Sequence, residues 1–356
     1  MVRLPYIFFC LLFIITAPCK AAEVPNVIFI NPGHDTHNST GSFWQNVSLF
    51  GEAAAEDLGV NLTTYYAQRD HFYMRQLVKQ AIKQSPDYLI LVNEKSVGLS
   101  MLKQLQKSDV KVFFLLNDLS EKQYTRVPSK LRDRVIGGVQ PNNYRAGYRL
   151  AKILLDAQHL GPDHNYQFLA LLGDHATQAS TDREMGMLDA LRASSVTYQL
   201  VDSPVANWSS ELGFNLVNSL LTRELAVDLI WAANDAIAFG AQKAVRSHEK
   251  QLLIGGVNWD EPPEGSPLYV SVGGHVTLAG LALVYIYDFH HGKIAKPQHW
   301  VAEIFADNRT EFSQSFIELL STGKVSEIDF RQFSLKWAEN PRSYNIENLV
   351  LASQRQ

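Results

Sequence analysis

The sequence predicts an α/β fold in two lobes, each a parallel β-sheet flanked by helices, with several segments crossing between them as a hinge. Short apolar, β-branched runs alternate with amphipathic helical stretches along most of the chain, the pattern of right-handed βαβ units and of sheets covered on both faces. The 356 residues, 46% hydrophobic and 19% charged, are enough for a sizeable core and for about two lobes. Late in the chain, Gly273 and Gly274 break the strand Tyr269 to Val272, and their lack of Cβ permits a sharp return toward the first lobe.

Residues 1–22 read as a targeting segment. Arg3 gives a positive start, Tyr6 to Ile15 an apolar stretch too short to span a membrane stably, and Ala17 to Ala22 a small-residue exit. The two cysteines, Cys10 and Cys19, both lie there. A chain cleaved near Ala21 or Ala22 is therefore expected in a periplasm, without disulfides and held by its core alone. The N-x-S/T sequons at Asn38, Asn46, Asn61, Asn207 and Asn308 matter only on a eukaryotic secretory route and are read as chance.

The first lobe is expected over 23–140 plus 275–307. Asn26 to Ile30 is strand-like, and Trp44, Val47, Phe50 and Ala54 mark a helix that Gly59 ends before the strand Val60 to Tyr66. Met74 to Ile82 reads as helix, Tyr88 to Val92 as strand, Leu99 to Leu105 as helix and Val110 to Leu116 as strand. Asn117 to Arg134 is polar, with little apolar periodicity, and reads as a loop at the rim; Val135 to Val139 resumes as strand.

The second lobe is expected over 141–274 plus 308–356. Asn142 opens a helix, and the strands are Phe168 to Leu172, Val196 to Val201, Ala226 to Trp231 and Leu252 to Val257. Ala226 to Trp231 breaks at Asn234 and Asp235, good helix caps for the helix that Ile237, Phe239, Ala241 and Ala244 continue. In an open α/β sheet that corner lies at the carboxyl end of a strand, where ligands collect. A helix from His275 to Tyr287, a crossing near Glu303 to Asp307, a helix through Phe312, Phe316 and Leu319, and an irregular tail complete the chain.

Charge and motifs exclude several functions. A net charge of −4 leaves no basic excess for a phosphate backbone, so no nucleic-acid partner is expected. No G-x-S-x-G, H-E-x-x-H or P-loop is present, since Ser321-Thr322-Gly323-Lys324 lacks the first glycine and the following Ser/Thr. His34, Asp35 and His37 read as a solvated polar loop rather than a metal site, and His290-His291 as a terminal helix turn. No metal, cofactor or catalytic group is expected.

Taken in order, several motifs resemble the type I periplasmic binding proteins of the ribose-binding kind. Phe43-Trp44 stands where that family has an aromatic pair after its first strand. Arg183-Glu184-Met185-Gly186-Met187 is similar to its R-x-x-G-[FM] element, Asn234-Asp235 through Gly240-Ala241 to its N-D-x-x-A-x-G-A element, and Gly256 to Asp260 to the strand end carrying an aromatic and an aspartate. The chain departs from the pattern in a longer loop, Gly33 to Gly41, in Asn117-Asp118 where an acidic-basic pair is common, and in His275 where many sugar binders place glutamine or aspartate.

The resemblance implies a two-lobed protein that captures a small, polyhydroxylated, sugar-like ligand in the interlobe cleft by hinge closure, as a monomer, and presents it to the permease of an ABC importer. Its alternative is a receptor for a sugar or autoinducer-2 that signals through a membrane histidine kinase. A secreted sugar-acting enzyme ranks lower, and a repressor of the same fold is disfavoured by the targeting segment and the lack of a helix-turn-helix. The ligand-binding residues it implies are Phe43, Trp44, Asn117, Asp118, Arg183, Asn234, Asp235, Trp259, Asp260 and His275. Aromatic faces would cover the C–H faces of a ring while charged and amide groups take its hydroxyls.

Overall fold

The computed structural model describes residues 24–36, 38–263 and 266–354. The targeting segment with Cys10 and Cys19, and His37, lie outside them. In the first half the chain runs β1 (Asn26–Asn31), α1 (Phe43–Leu58), β2 (Asn61–Tyr66), α2 (His71–Lys83), β3 (Tyr88–Leu91), α3 (Gly98–Leu102), β4 (Lys111–Leu115), α4 (Glu121–Tyr124), α5 (Ser129–Arg132) and β5 (Val135–Pro141). It continues as α6 (Asn143–Asp156), β6 (Tyr166–Leu171), α7 (Gln178–Ala193), β7 (Tyr198–Asp202), α8 (Ser210–Thr222), β8 (Leu229–Ala232), α9 (Asp235–Ser247), β9 (Leu253–Asn258) and β10 (Val270–Gly273). Then follow α10 (Leu278–His290), β11 (Gln298–Ala302), β12 (Ala306–Asp307), α11 (Glu311–Ser321) and α12 (Ile346–Ser353).

Two six-stranded sheets result, ordered β11-β5-β4-β3-β1-β2 and β12-β10-β9-β8-β6-β7. All pairs are parallel except β12 with β10. The apolar runs fill the strands because both sheet faces are covered; β3 and β8 are buried at every residue. In each sheet the strand order reverses beside the first strand of the lobe, which opens a crevice at the carboxyl edge.

Several helix starts follow their capping chemistry. Asp70 accepts from the backbone N–H groups of Phe72 and Tyr73 to start α2, Asn142 from Arg145 to start α6, and Asn234 from Ile237 to start α9. The stretch 117–134, expected as plain loop, contains two one-turn helices. Ser120 and Gln123 form a capping box at α4, a local signal that outweighs the missing apolar period.

The chain crosses between lobes after β5, after β10, after β11 and after β12. At the second crossing Gly274 has φ +112, and a Cβ there would lie 2.7 Å from the Ile304 carbonyl oxygen, so the turn foreseen at the two glycines depends on the second of them.

The assignment of 308–356 to the second lobe is corrected. After β12 the chain returns, and Phe316, Val325, Ile328, Phe330, Phe333, Ile346, Leu349 and Val350 join the core that α1, α10 and the first sheet build. Phe316 stacks on Phe50 of α1 with ring centres 5.4 Å apart. Buried Asp288 on α10 accepts from Ser334 Oγ and from the Leu335 and Lys336 N–H groups, which clamps the tail. Apolar residues spaced irregularly between short turns carry no period, so the sequence offered no sign of which lobe they cover.

Two helix pairs in the second lobe approach closely through reciprocal glycines. A Cβ on Gly147 (α6) would stand 1.9 Å from the Arg183 carbonyl oxygen on α7, and one on Gly186 (α7) 1.9 Å from that of Tyr144. Gly240 (α9) and Gly213 (α8) meet Ser210 and Ile237 in the same manner, at 1.9 and 2.5 Å. The glycines of both sequence motifs therefore serve helix contact. Gly186→Ala should destabilise the protein by about 2–3 kcal/mol, the cost of overpacking exceeding the roughly 1 kcal/mol that alanine gains in a helix interior. Urea unfolding midpoints measure this, and an unchanged or higher midpoint would refute the close approach.

Candidate functional site

Between the two carboxyl edges lies a cavity lined from both lobes. Its lining comes from strand ends of both lobes. Thr40, Phe43 and Trp44 follow β1, Arg69 follows β2, Glu94 follows β3, Leu116 and Asn117 follow β4, and Pro141 closes β5. From the other side come Asn143 at the start of α6, Thr177, Ala179 and Arg183 after β6, Trp208 after β7, Asn234 after β8, Asn258 at the end of β9 and His275 after β10.

Arg183 is the central cation. It is 4% exposed, contrary to the default of an exposed arginine on a helix face. Its Nε donates to Asn143 Oδ1 at 2.9 Å, Nη1 to the Ala233 carbonyl at 2.7 Å and Nη2 to His275 Nε2 at 3.1 Å. Burial pulls its pKa down to about 10, with Asp235 and Asp182 opposing, so it stays charged at neutral pH. The guanidinium also lies over the Trp208 and Phe305 rings, 5.7 and 5.8 Å from their centres. Three of five N–H donors are spent on the protein, which leaves two.

His275 is held in one form by this neighbour. A guanidinium only donates, so Nε2 must be the bare nitrogen and the ring proton sits on Nδ1. Burial and the Arg183 charge push the imidazole well below its ordinary pKa, so the ring is neutral. The ring lies between Phe43 (4.7 Å, stacked) and Phe305 (4.6 Å), and its buried Nδ1 has no hydrogen-bond partner among the described residues.

Six of the ten residues expected at the ligand line this cavity: Phe43, Trp44, Asn117, Arg183, Asn234 and His275. Four are placed elsewhere. Asp118 turns toward the sheet edge, where His299 Nδ1 contacts its Oδ2 at 2.6 Å. Asp235, fully buried, accepts from Ser271 Oγ and from the Asp260 N–H. Trp259 donates its indole N–H to the Ser271 carbonyl, and its ring lies so close over Gly273 that a Cβ there would fall 2.3 Å from it. Asp260 accepts from Ser42 Oγ at 3.1 Å, across the two lobes.

The aromatic cover from the second lobe is instead Trp208, an apolar residue in the polar stretch Ala206 to Ser210 beyond a strand, which was the available sign. Asn258, one residue before Trp259, is the cavity residue of the GVNWD segment. Arg69, Glu94 and Asn143 lie outside every motif.

The long loop after β1 reaches the second lobe. Besides the Ser42–Asp260 contact, the Ser210 N–H donates to the Ser39 carbonyl at 2.9 Å, and Lys95 Nζ meets Asp174 Oδ2 at 3.0 Å. The lobes are closed on each other.

Burial, with Asp260 as the next cause, raises Asp235 to about 8 from an ordinary 3.8, against the hydrogen bonds from Ser271 and the Asp260 and Trp259 backbone. Between those values the folded chain keeps a proton that the unfolded chain has lost. Stability from this group is therefore greatest at acid pH and declines as pH rises toward about 8. Asp235→Asn should flatten the decline. Urea midpoints of both proteins between about pH 5 and pH 9 test it, and parallel profiles would count against a protonated Asp235.

The sequence pattern of the periplasmic binding protein domain family matches residues 35–264. A solved periplasmic sugar-binding protein from Pseudomonas fluorescens is 31% identical, with a TM-score of 0.78 over 93% of this chain and 100% of that one. The ribose import binding protein of Haemophilus influenzae is 29% identical over 134 residues, 38% of this chain and 43% of the relative's length. The D-apiose import binding protein of Actinobacillus succinogenes is 21% identical over 229 residues, 64% of this chain and 67% of the relative. With strand-end residues of two parallel sheets converging on one interlobe cavity, these likenesses place the chain in the type I periplasmic binding protein family.

Proposed function

We propose that the chain is an exported solute-binding protein that captures a small sugar-like molecule between its lobes and presents it to the permease of a membrane ABC importer, its residues 1–22 serving as the cleaved export signal. The observation that carries this reading is the composition of the interlobe cavity. Phe43 and Trp44 face it from one lobe and Trp208 from the other, and they alternate with amide, guanidinium and hydroxyl groups drawn from both. Flat apolar faces with interspersed hydrogen-bonding groups suit a ring whose faces are C–H and whose edge is hydroxyl. Arg183 has two donors to give, Asn143 has its Nδ2, and His275 has the N–H on Nδ1. The sugar-binding names of the relatives support the same class.

Closure is the mechanism. A ligand that touches both walls at once binds the closed form better than the open one and shifts the population toward it. The permease would read that form. None of this requires covalent chemistry.

Tryptophan fluorescence with D-ribose, D-apiose, hexoses, polyols and autoinducer-2 tests the class, since Trp44 and Trp208 line the cavity. A bound sugar should reduce the radius of gyration in solution scattering without changing the fold. Arg183→Ala should raise the dissociation constant roughly tenfold to a hundredfold, because hydrogen bonds to a charged group are worth about 1.5–3 kcal/mol and each 1.4 kcal/mol is a factor of ten. It should also lower the melting temperature, because Asn143 and the Ala233 carbonyl lose their donor. Equal affinity per folded molecule would remove Arg183 from the site.

A further inference from the structure

The turn after β3 carries two consecutive charged side chains that no motif marked. Lys95 and Ser96 have φ of +47 and +61, a left-handed backbone that non-glycine residues rarely adopt. A frame holds them there. Asn93 Nδ2 donates to the Asp118 carbonyl and to Gln123 Oε1, both at 2.8 Å, while Asn93 Oδ1 accepts from Gly98 N–H at 2.7 Å. Gln123 Nε2 donates to the Ser96 carbonyl at 2.9 Å. The outcome is that Glu94 lines the cavity while Lys95 reaches Asp174 of the opposite lobe, 3.0 Å away.

Glu94 is 8% exposed, and no hydrogen bond or ion pair among the described residues engages its carboxyl. Its oxygens are not sealed from solvent, so they stand as open acceptors on the cavity wall. Strained backbone beside an acid that faces the cavity without a protein donor is a pattern of function rather than of stability. The opposite wall donates, through Arg183 and the Nδ1–H of His275. The neighbouring strand end, where the family resemblance leads one to expect an acid, offers only the amide of Asn117. Among the described residues Glu94 thus supplies the one carboxylate of the lining, from the next strand over.

We propose that Glu94 is a ligand-contacting residue that accepts hydrogens from neighbouring hydroxyls of a sugar or polyol ring, and that its turn ties this recognition to lobe closure through Lys95. The proposal rests on the sugar-binding reading of the cavity and adds an orientation to it. Hydroxyl donors face the first lobe, and ring or carbonyl oxygens face Arg183. It also carries a pH signature. Burial raises Glu94 above the usual carboxylate range; Arg69, Lys95 and His71 lower it, and Asp174 raises it. Hydroxyl-donating ligands need the ionised form, so binding holds above the raised value and weakens as pH falls through it.

The test uses the mature full-length chain and Glu94→Gln, with D-ribose, D-apiose, D-allose and myo-inositol as fluorescence probes. For each probe that binds the wild type, the variant should raise the dissociation constant roughly tenfold to a hundredfold and flatten the acid loss of binding. Its melting temperature should stay level or rise, because a desolvated charge has been removed. Unchanged affinity, or a lower melting temperature with affinity per folded molecule retained, overturns the proposal. If no probe binds the wild type, the sugar reading itself fails, and the melting temperature still decides whether Glu94 is a structural group. Lys95→Met should lessen the fall in radius of gyration that a bound probe produces; an undiminished fall removes the closure half.

Discussion

The second lobe and the hinge are arranged around one buried guanidinium. A charge taken out of water must be met by acceptors, and those of Arg183 come from three different places: Asn143 on α6, the carbonyl beyond β8, and His275 where the chain crosses back to the first lobe. Satisfying that cation sets the helix pair, the sheet end and the hinge relative to one another. The glycine contacts between α6 and α7 make it possible, since Asn143 can reach Nε only when the two backbones nearly touch. The protonation state of His275 is a further result of the same contact.

The sheets were legible because both faces of each are buried, which leaves apolar runs punctuated by caps. The site was legible only to the nearest strand end. Three adjacent pairs make the point: Asn117 and Asp118, Asn234 and Asp235, Asn258 and Trp259. In each the first member lines the cavity, and the second turns away, to His299, to Ser271 or onto Gly273. These corners lie past the regular strand, with positive φ at Leu116, Asn258 and Trp259 and a helix beginning at Asp235. A motif finds the corner, but the irregular backbone there decides which of two neighbouring residues lines the cavity. Glu94 was missed for a different reason, because its direction is set by left-handed backbone at Lys95 and Ser96 that depends on a frame from Asn93 and Gln123.

The aspartates left out of the cavity have structural work. Asp235 gathers the Ser271 hydroxyl and the Asp260 N–H, which fixes the loop after β9, and Asp260 then meets Ser42 of the other lobe. Asp288 closes over the tail. Trp259 packs on Gly273 and against Phe316, so the hinge rests on apolar contact with the C-terminal segment.

The interleaving of the chain has a consequence for how it is made. Every member of the second lobe's core lies between Ala146 and Val272, one unbroken stretch. The first lobe's core runs from Val27 to Val139 and then needs Trp259 and Val276 through Ala352. A chain emerging from its amino end, whether from a ribosome or a translocation channel, thus presents a complete second lobe before the first can close over its own apolar surface. The early strands must wait, exposed, until Phe316, Phe330 and Leu349 arrive. For such a chain, aggregation and chaperone capture are concentrated in the half that was made first.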